Sequence, residues 1–237
     1  MNMKNQNNDE RGRVVILKDG PYLVTGRLPL EENIIAVDKN GDAITWAKGI
    51  PYPTRDKYSL CRCGQSRSKP FCDGSHTTVR FDGTETAAKG KYLEQAGQIT
   101  GPGLVLTDAE PLCAVARFCD PAGGVWQLTE QSDDPEAKAM AVREACLCPS
   151  GRLVIWNRRT GKAIEPTFKR SVGLVQDPYK KVSGPIWIKG RVPVISSDGT
   201  RYEIRNRVTL CRCGASENKP FCDGSHISIG FSDSKKN

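Results

Sequence analysis

Two short segments of this sequence concentrate the residue types that bind soft metal ions. Cys61 to His76 reads CRCGQSRSKPFCDGSH, and Cys211 to His226 reads CRCGASENKPFCDGSH. Each segment spaces its ligand candidates as C-x-C-x8-C-x3-H, and the chain contains no other histidine. Three thiolates and one imidazole complete a four-ligand set that suits iron–sulfur clusters or zinc. The repeated spacing therefore predicts two metal centres, with the ligands Cys61, Cys63, Cys72, His76, Cys211, Cys213, Cys222 and His226.

The single residue between the first two cysteines favours iron over zinc. Structural zinc sites usually place two to four residues inside their close cysteine pair, although a single residue does not exclude zinc. Cys72 and His76 are four residues apart, so one turn of helix would bring both side chains to the same face. The Asp-Gly-Ser between them supplies helix-capping chemistry and small residues. Buried thiols without a metal would not explain the repeated spacing together with both histidines.

The motif C-x-C-x2-S-x3-P-x-C-D-G-S-H resembles that of the CDGSH iron–sulfur domain proteins, also called NEET proteins. Its other defining positions also occur twice, as Ser66, Pro70, Asp73, Gly74 and Ser75 and as Ser216, Pro220, Asp223, Gly224 and Ser225. The resemblance implies a 2Fe–2S cluster in each motif. In the first motif Cys61 and Cys63 would hold one iron, with Cys72 and His76 on the other. In the second, Cys211 and Cys213 would pair against Cys222 and His226.

The four remaining cysteines could form a third site. They are spaced as C-x5-C and, 26 residues later, C-x-C-P, and comprise Cys113, Cys119, Cys146 and Cys148. Bacterial ferredoxins use C-x2-C-x2-C and a remote cysteine followed by proline, and Ala116 stands where the middle cysteine would be. The segment resembles divergent single-cluster ferredoxin modules, which implies a 3Fe–4S cluster, or a 4Fe–4S cluster if Cys146 is the fourth ligand. A four-thiolate zinc site and reduced thiols are the alternatives.

The segments around the motifs predict a mainly β fold with short helices, built from small α+β modules. Short runs rich in branched residues, separated by Asp-Gly or Asn-Gly, predict strands at 14–18, 22–27 and 34–37, and in the second copy at 186–189 and 192–195. Asp133-Asp134-Pro135 predicts the start of a helix, and 153–156 a strand.

The repeat predicts the domain organisation. We expect a disordered tail at 1–12, a CDGSH module at 13–85, a ferredoxin-like cysteine module at 86–180 and a second CDGSH module at 181–237. The two β-rich CDGSH modules should form an internal pseudo-dimer within a monomer. Two independent modules, or a dimer of whole chains, are the alternatives.

The composition narrows the functional classes. The net charge of +8 suits an acidic redox or cluster-acceptor partner, or is only a solvated surface, and Lys69 and Lys219 are open to the same two interpretations. No nucleic-acid motif, apolar membrane segment or secretory signal is present, so we expect a cytoplasmic protein without nucleic-acid or membrane contacts.

Catalytic machinery is also absent from the sequence. There is no nucleophile elbow, phosphate-binding loop or dinucleotide fingerprint, and both histidines are assigned as ligands. Asp73 and Asp223 are better interpreted as cap or supporting residues than as bases. We therefore predict an electron or cluster carrier or sensor rather than an enzyme, with a zinc-stabilised binding module as the alternative.

Overall fold

The structure, a computed structural model, describes residues 12–233. The predicted tail at 1–12 lies outside the described residues except for Gly12. The described chain is mainly β, as predicted. Its strands are β1 (Arg13–Ile16), β2 (Tyr22–Thr25), β3 (Leu30–Val37), β4 (Ala43–Tyr52), β5 (Lys57–Leu60), β6 (Gly97–Thr100), β7 (Leu104–Asp108), β8 (Leu153–Asn157), β9 (Ala163–Ile164), β10 (Ser171–Asp177), β11 (Val182–Lys189), β12 (Val194–Ile195) and β13 (Arg207–Leu210). Its helices are α1 (Ser75–Thr78), α2 (Tyr92–Gln95), α3 (Val125–Glu130), α4 (Pro135–Leu147) and α5 (Ser225–Ser228), with 3-10 turns at Glu110–Leu112 and Pro121–Gly123.

The strands form three sheets. Their orders are β12-β1-β2-β5, β13-β11-β10-β3-β4 and β6-β7-β8-β9. The first two sheets belong to the two CDGSH repeats and the third to the segment between them. Within residues 12–233 no helix is long and apolar enough to cross a membrane.

The two repeats exchange a strand. In the first sheet β1 pairs in parallel with β12 of the second repeat, and Val14 lies opposite Val194. In the second sheet β10 pairs in parallel with β3 of the first repeat, and Val172 lies opposite Leu30. Leu30 and Val194 are equivalent positions, because each follows the aligned Gly-Pro stretch by the same number of residues. Each repeat therefore completes the sheet of the other, with the same register.

A single apolar core joins the two repeats. Branched and aromatic side chains from both sheets pack together, and they include Val14, Ile16, Tyr22, Val24, Leu60, Val172, Leu174, Ile186, Ile188, Val194 and Leu210. The Tyr22 hydroxyl in the first repeat donates to the carbonyl oxygen of Cys211 in the second, at 2.7 Å. The ends of β5 and β13, which lead into the two cysteine motifs, are held by this shared core.

The middle segment packs α3 and α4 on the third sheet. The Asp134 side chain accepts hydrogen bonds from the backbone nitrogens of Glu136 (2.7 Å) and Ala137 (2.9 Å), which caps α4 as predicted. Apolar residues of α3, α4 and the sheet form a second core with the members Leu104, Leu106, Val125, Leu128, Ala141, Ala145, Leu153 and Ile155. This packing places the end of α4 beside the second CDGSH sheet.

One strand differs from the predicted domain organisation. The sequence places 86–180 in the middle module, whereas β10 at Ser171–Asp177 forms a hairpin with β11 in the second CDGSH sheet. The parallel partner of β10 is β3, far away in sequence, and no local pattern encodes such a pairing.

Candidate metal centres

The C-x-C pairs begin where the central strands end. Cys61 follows β5 and Cys211 follows β13. The two Sγ atoms are 3.8 Å apart in Cys61–Cys63 and 3.6 Å apart in Cys211–Cys213. Two thiolates bound at about 2.3 Å to one tetrahedral metal would lie roughly 3.8 Å apart. Each pair is therefore spaced to hold one metal atom.

The cysteine and histidine of each motif form a second pair. The Cys72 Sγ lies 3.4 Å from the His76 Nδ1, and the Cys222 Sγ lies 3.4 Å from the His226 Nδ1. A thiolate and an imidazole bound to one tetrahedral metal at about 2.3 and 2.0 Å would be roughly 3.5 Å apart. This separation also suits one shared metal.

A turn, rather than a helix, brings each cysteine to its histidine. Helix α1 begins at Ser75, so Cys72 lies outside it, and the expectation of a common helical turn is wrong. Gly74 adopts a left-handed conformation (φ 90°), which favours glycine, and its N–H lies 3.4 Å from the Cys72 Sγ. Gly224 (φ 91°) does the same in the second motif.

Asp73 supports this turn. Its carboxylate accepts hydrogen bonds from the Ser75 hydroxyl (2.6 Å), the Ser75 N–H (3.0 Å) and the Arg67 N–H (2.7 Å). These bonds, that of the hydroxyl first, lower the pKa of Asp73 well below its usual value. Asp223 makes the equivalent bonds in the second motif. Both carboxylates therefore act as hydrogen-bond acceptors that stabilise the ligand loop.

The lysines of the two motifs also have structural partners. The Lys69 ammonium donates to the Ser66 carbonyl oxygen, and the Lys219 ammonium donates to the Ser216 carbonyl oxygen, each at 2.7 Å. Both lysines therefore brace the loop between the C-x-C pair and the third cysteine.

The donor set of each motif fits a two-metal cluster. Within residues 12–233 no three His, Cys, Asp or Glu side chains converge on one metal position. The ligand candidates come instead as two pairs, each with the separation of two ligands on one metal. Burial raises the pKa of Cys63 to about 11 and that of Cys222 well above its usual value. These thiols are therefore protonated at neutral pH unless a bound metal stabilises the thiolates.

Three of the four middle cysteines line one cavity. Cys113, Cys119 and Cys148 surround a space of about 140 Å³, with Ala116 and Asp120 in its wall. Cys113 follows the 3-10 turn at 110–112, whereas Cys148 is the first residue after α4. The Asp120 carboxylate lies 3.4 Å from the Cys119 Sγ and adds an oxygen donor that the sequence analysis missed.

Cys146 does not join this group, in contrast to its predicted role as fourth ligand. It lies within α4, and its thiol contacts the carbonyl oxygen of Ile164 in β9 at 3.7 Å. Residues two positions apart on a helix face different sides, and Cys148, at the end of α4, lines the cavity whereas Cys146 does not.

A buried carboxylate lies near the middle cavity. Glu144 of α4 is 2 % exposed, and neither of its oxygens has a hydrogen-bond partner within the described chain. Burial, and then the nearby charge of Asp120, raise its pKa to about 7. No motif in the sequence marks this glutamate, which is one charged residue within the predicted helix.

The three candidate sites adjoin one another. A Cβ atom at Gly64 would lie 2.3 Å from the carbonyl oxygen of Cys213, and one at Gly214 would lie 2.6 Å from that of Cys63. The two C-x-C loops therefore pack backbone to backbone. A Cβ atom at Gly224 would lie 2.3 Å from Cγ2 of Val115, which sits between Cys113 and Cys119 of the middle site.

Comparison with known families agrees with this geometry. Residues 19–77 and 183–227 match the family described as iron-binding zinc finger, CDGSH type, and residues 99–158 match the divergent 4Fe-4S mono-cluster family. Neither the curated proteins nor the solved structures give a significant match. The chain is an iron–sulfur protein. It belongs to the proteins that carry the CDGSH iron-binding domain, and its two CDGSH segments flank a divergent single-cluster segment, which confirms that prediction.

Proposed function

We propose that this chain is a three-site electron carrier. Each CDGSH motif holds a 2Fe–2S cluster, the first through Cys61, Cys63, Cys72 and His76 and the second through Cys211, Cys213, Cys222 and His226. The observation that carries this assignment is the division of each motif into two ligand pairs, each spaced for one metal atom. A bound cluster supplies one-electron chemistry at each site.

The residues around the motifs tune that chemistry. Arg62 and Arg212 lie between the two cysteines of each C-x-C pair and are 1 % and 3 % exposed. Arg62 donates to the Gly83 carbonyl oxygen and Arg212 to that of Gly184, so both side chains support the loops that carry the thiolates. The imidazole in place of a fourth thiolate removes negative charge, which favours the reduced state.

The middle cavity would hold the third cluster through Cys113, Cys119 and Cys148. Three thiolates suffice for a 3Fe–4S cluster. A fourth iron would require another donor, and the Asp120 carboxylate is placed in the same wall. The match to a 4Fe-4S family supports the larger cluster, and the place of Asp120 in the cavity wall supports its carboxylate as the oxygen ligand.

The contacts between the sites support electron transfer as the role. The middle loop touches the second motif through Val115, and the second motif touches the first through the Gly64 and Gly214 turns. With both histidines and all cluster cysteines used as ligands, we assign no catalytic residue. Transfer of an intact cluster is the second candidate, favoured by the partly exposed Cys72–His76 pair of the first motif.

We further propose an acidic redox or acceptor protein as the partner, in the cytoplasm. The chain has a net charge of +8. Arg67 and Arg80 are exposed next to the first motif and could meet acidic side chains.

Replacing His76 by Cys tests the electron-transfer role. The added thiolate charge should lower the potential of the first cluster by roughly 100 mV or more, since two histidines in Rieske centres raise it by about 250 mV or more. A redox titration followed by electron paramagnetic resonance (EPR) measures this shift. The matched variant His226→Cys should move only the second cluster. Unchanged potentials in both variants would show that the histidines are not ligands.

A further inference from the structure

We infer that the segment Cys113–Val115 closes the second CDGSH site, so that the first site alone exchanges its cluster with a partner. This inference rests on the proposed function, because it requires a cluster in each motif. The two motifs share the sequence KPFCDGSH but differ in their surroundings.

The two motifs differ in the exposure of their cysteine–histidine pair. Cys222 and His226 are buried, with 2 % and 4 % of their surfaces exposed. Cys72 and His76, the equivalent residues of the first motif, are partly exposed. The C-x-C cysteines are buried in both motifs. The two motifs therefore differ in exposure at the cysteine–histidine pair, where a chelator or an acceptor thiolate can approach the metal position.

Val115 lies against the turn of the second motif and has no counterpart at the first. A Cβ atom at Gly224 would meet Cγ2 of Val115 at 2.3 Å and the Cys113 carbonyl oxygen at 3.6 Å. A Cβ atom at Gly74, in the same turn of the first motif, would meet nothing within 4 Å. The middle segment thus covers the second motif and leaves the first uncovered.

The covering segment is fixed at both ends. The Asn218 side-chain amide donates to the Pro111 carbonyl oxygen at 2.8 Å, before the segment. Arg117 forms a buried ion pair with Asp177 of β10, after it. Val115 between them has φ 51°, an outlying conformation for a β-branched residue. The surrounding contacts hold this strained residue against the second motif.

The rims of the two motifs also differ in charge. Arg67 and Arg80 of the first motif are replaced at the equivalent positions of the second by Glu217 and Gly230. The open motif is therefore the more basic one, and it would attract an acidic acceptor.

Exchange at the first site is a ligand substitution. Four bonds between the irons and Cys61, Cys63, Cys72 and His76 break, and four bonds to acceptor thiolates form. The cluster moves as a unit without a change of oxidation state, and protons from the acceptor thiols pass to the released cysteines and solvent.

Chelator challenge of the oxidised, anaerobically purified full chain tests the inference. We expect the CDGSH absorbance to decay in two phases of equal iron content, the first motif at least roughly tenfold faster than the second, because the second must first open locally. Cys72→Ser should abolish the fast phase and Cys222→Ser the slow phase.

Two sets of variants probe the cover directly. Val115→Gly, which also suits the positive φ, should accelerate the slow phase and leave the fast phase unchanged. Gly224→Ala should displace Val115 and accelerate the slow phase too. Gly74→Ala is its matched control, because it imposes the same backbone strain (φ 90° against 91°) without a clash. Its effect on the fast phase measures the strain alone, and Gly224→Ala should accelerate the slow phase by a larger factor.

Equal decay of the two clusters, or a fast phase that belongs to the second motif, would overturn the inference. So would a slow phase that neither Val115→Gly nor Gly224→Ala accelerates. Iron and sulfide are measured before the challenge. Absence of clusters would contradict the proposed function itself, whereas two clusters that decay equally would contradict only the inference.

Discussion

Serine in place of Cys148 is expected to empty the middle cavity, whereas serine in place of Cys146 is expected to leave it filled. Cys148 lines the cavity with Cys113 and Cys119, but Cys146 turns towards Ile164 beside β9. A serine hydroxyl is a poor ligand for iron compared with a thiolate. Cys148→Ser should therefore lose the three or four irons of the middle site and keep the four of the CDGSH motifs.

Iron and acid-labile sulfide, measured together with EPR spectra of the oxidised and reduced protein, check this expectation. Cys146→Ser is the matched control, because it makes the same substitution two residues away. Equal iron loss in both variants would mean that Cys146 is a ligand and that its placement on α4 does not hold when the cluster is bound. Asp120→Ala separates the cluster types, since loss of a single iron would identify the carboxylate as the fourth ligand.

Replacing Arg212 by Met should destabilise the fold by about 3–5 kcal/mol, the usual cost of removing one partner of a buried ion pair. Arg212 is 3 % exposed and forms an ion pair with Asp233. It also donates to the carbonyl oxygens of Gly184 (2.6 Å) and Val175 (2.9 Å). Methionine would keep the packing but leave the Asp233 carboxylate without its cation, although Gln176 and Ser183 still donate to it, and would leave two carbonyl oxygens without this donor.

Arg62→Met is the matched control, because Arg62 occupies the same position in the first motif. It is also buried but, within residues 12–233, makes no ion pair and donates only to the Gly83 carbonyl oxygen, at 2.6 Å. Its loss should cost about 1–3 kcal/mol. Urea unfolding followed by circular dichroism and visible absorbance measures both changes. A cost for Arg212→Met no larger than that for Arg62→Met would contradict the assigned role of the ion pair.

Much of the CDGSH sites could be predicted because their information is local. The motif contains the four ligand candidates within 16 residues, and the resemblance implies the pairs Cys61–Cys63 and Cys72–His76, whose members lie 3.8 and 3.4 Å apart. The helix after Asp134 also followed from local capping chemistry. Only the conformation of the cysteine–histidine turn differed, since a left-handed glycine replaces the expected helical turn.

The features that could not be predicted depend on distant parts of the chain. The exchange of β3 and β12 between the repeats is a parallel pairing without a sequence signature. The divergence of Cys146 and Cys148 depends on where α4 ends, which sequence patterns locate only to within a few residues. Val115 lies against Gly224, but nothing in the sequence of either segment indicates that the two are in contact.

Whether the chain binds iron–sulfur clusters is tested most directly by the visible spectrum of the anaerobically purified protein, with iron, acid-labile sulfide and zinc determined on the same sample. With all three clusters bound, we expect a coloured protein with about seven to eight irons per chain, similar sulfide and little zinc, and about four of these irons belong to the CDGSH motifs. A colourless protein that carries zinc and no sulfide would contradict the iron–sulfur assignment and leave a zinc-stabilised binding module.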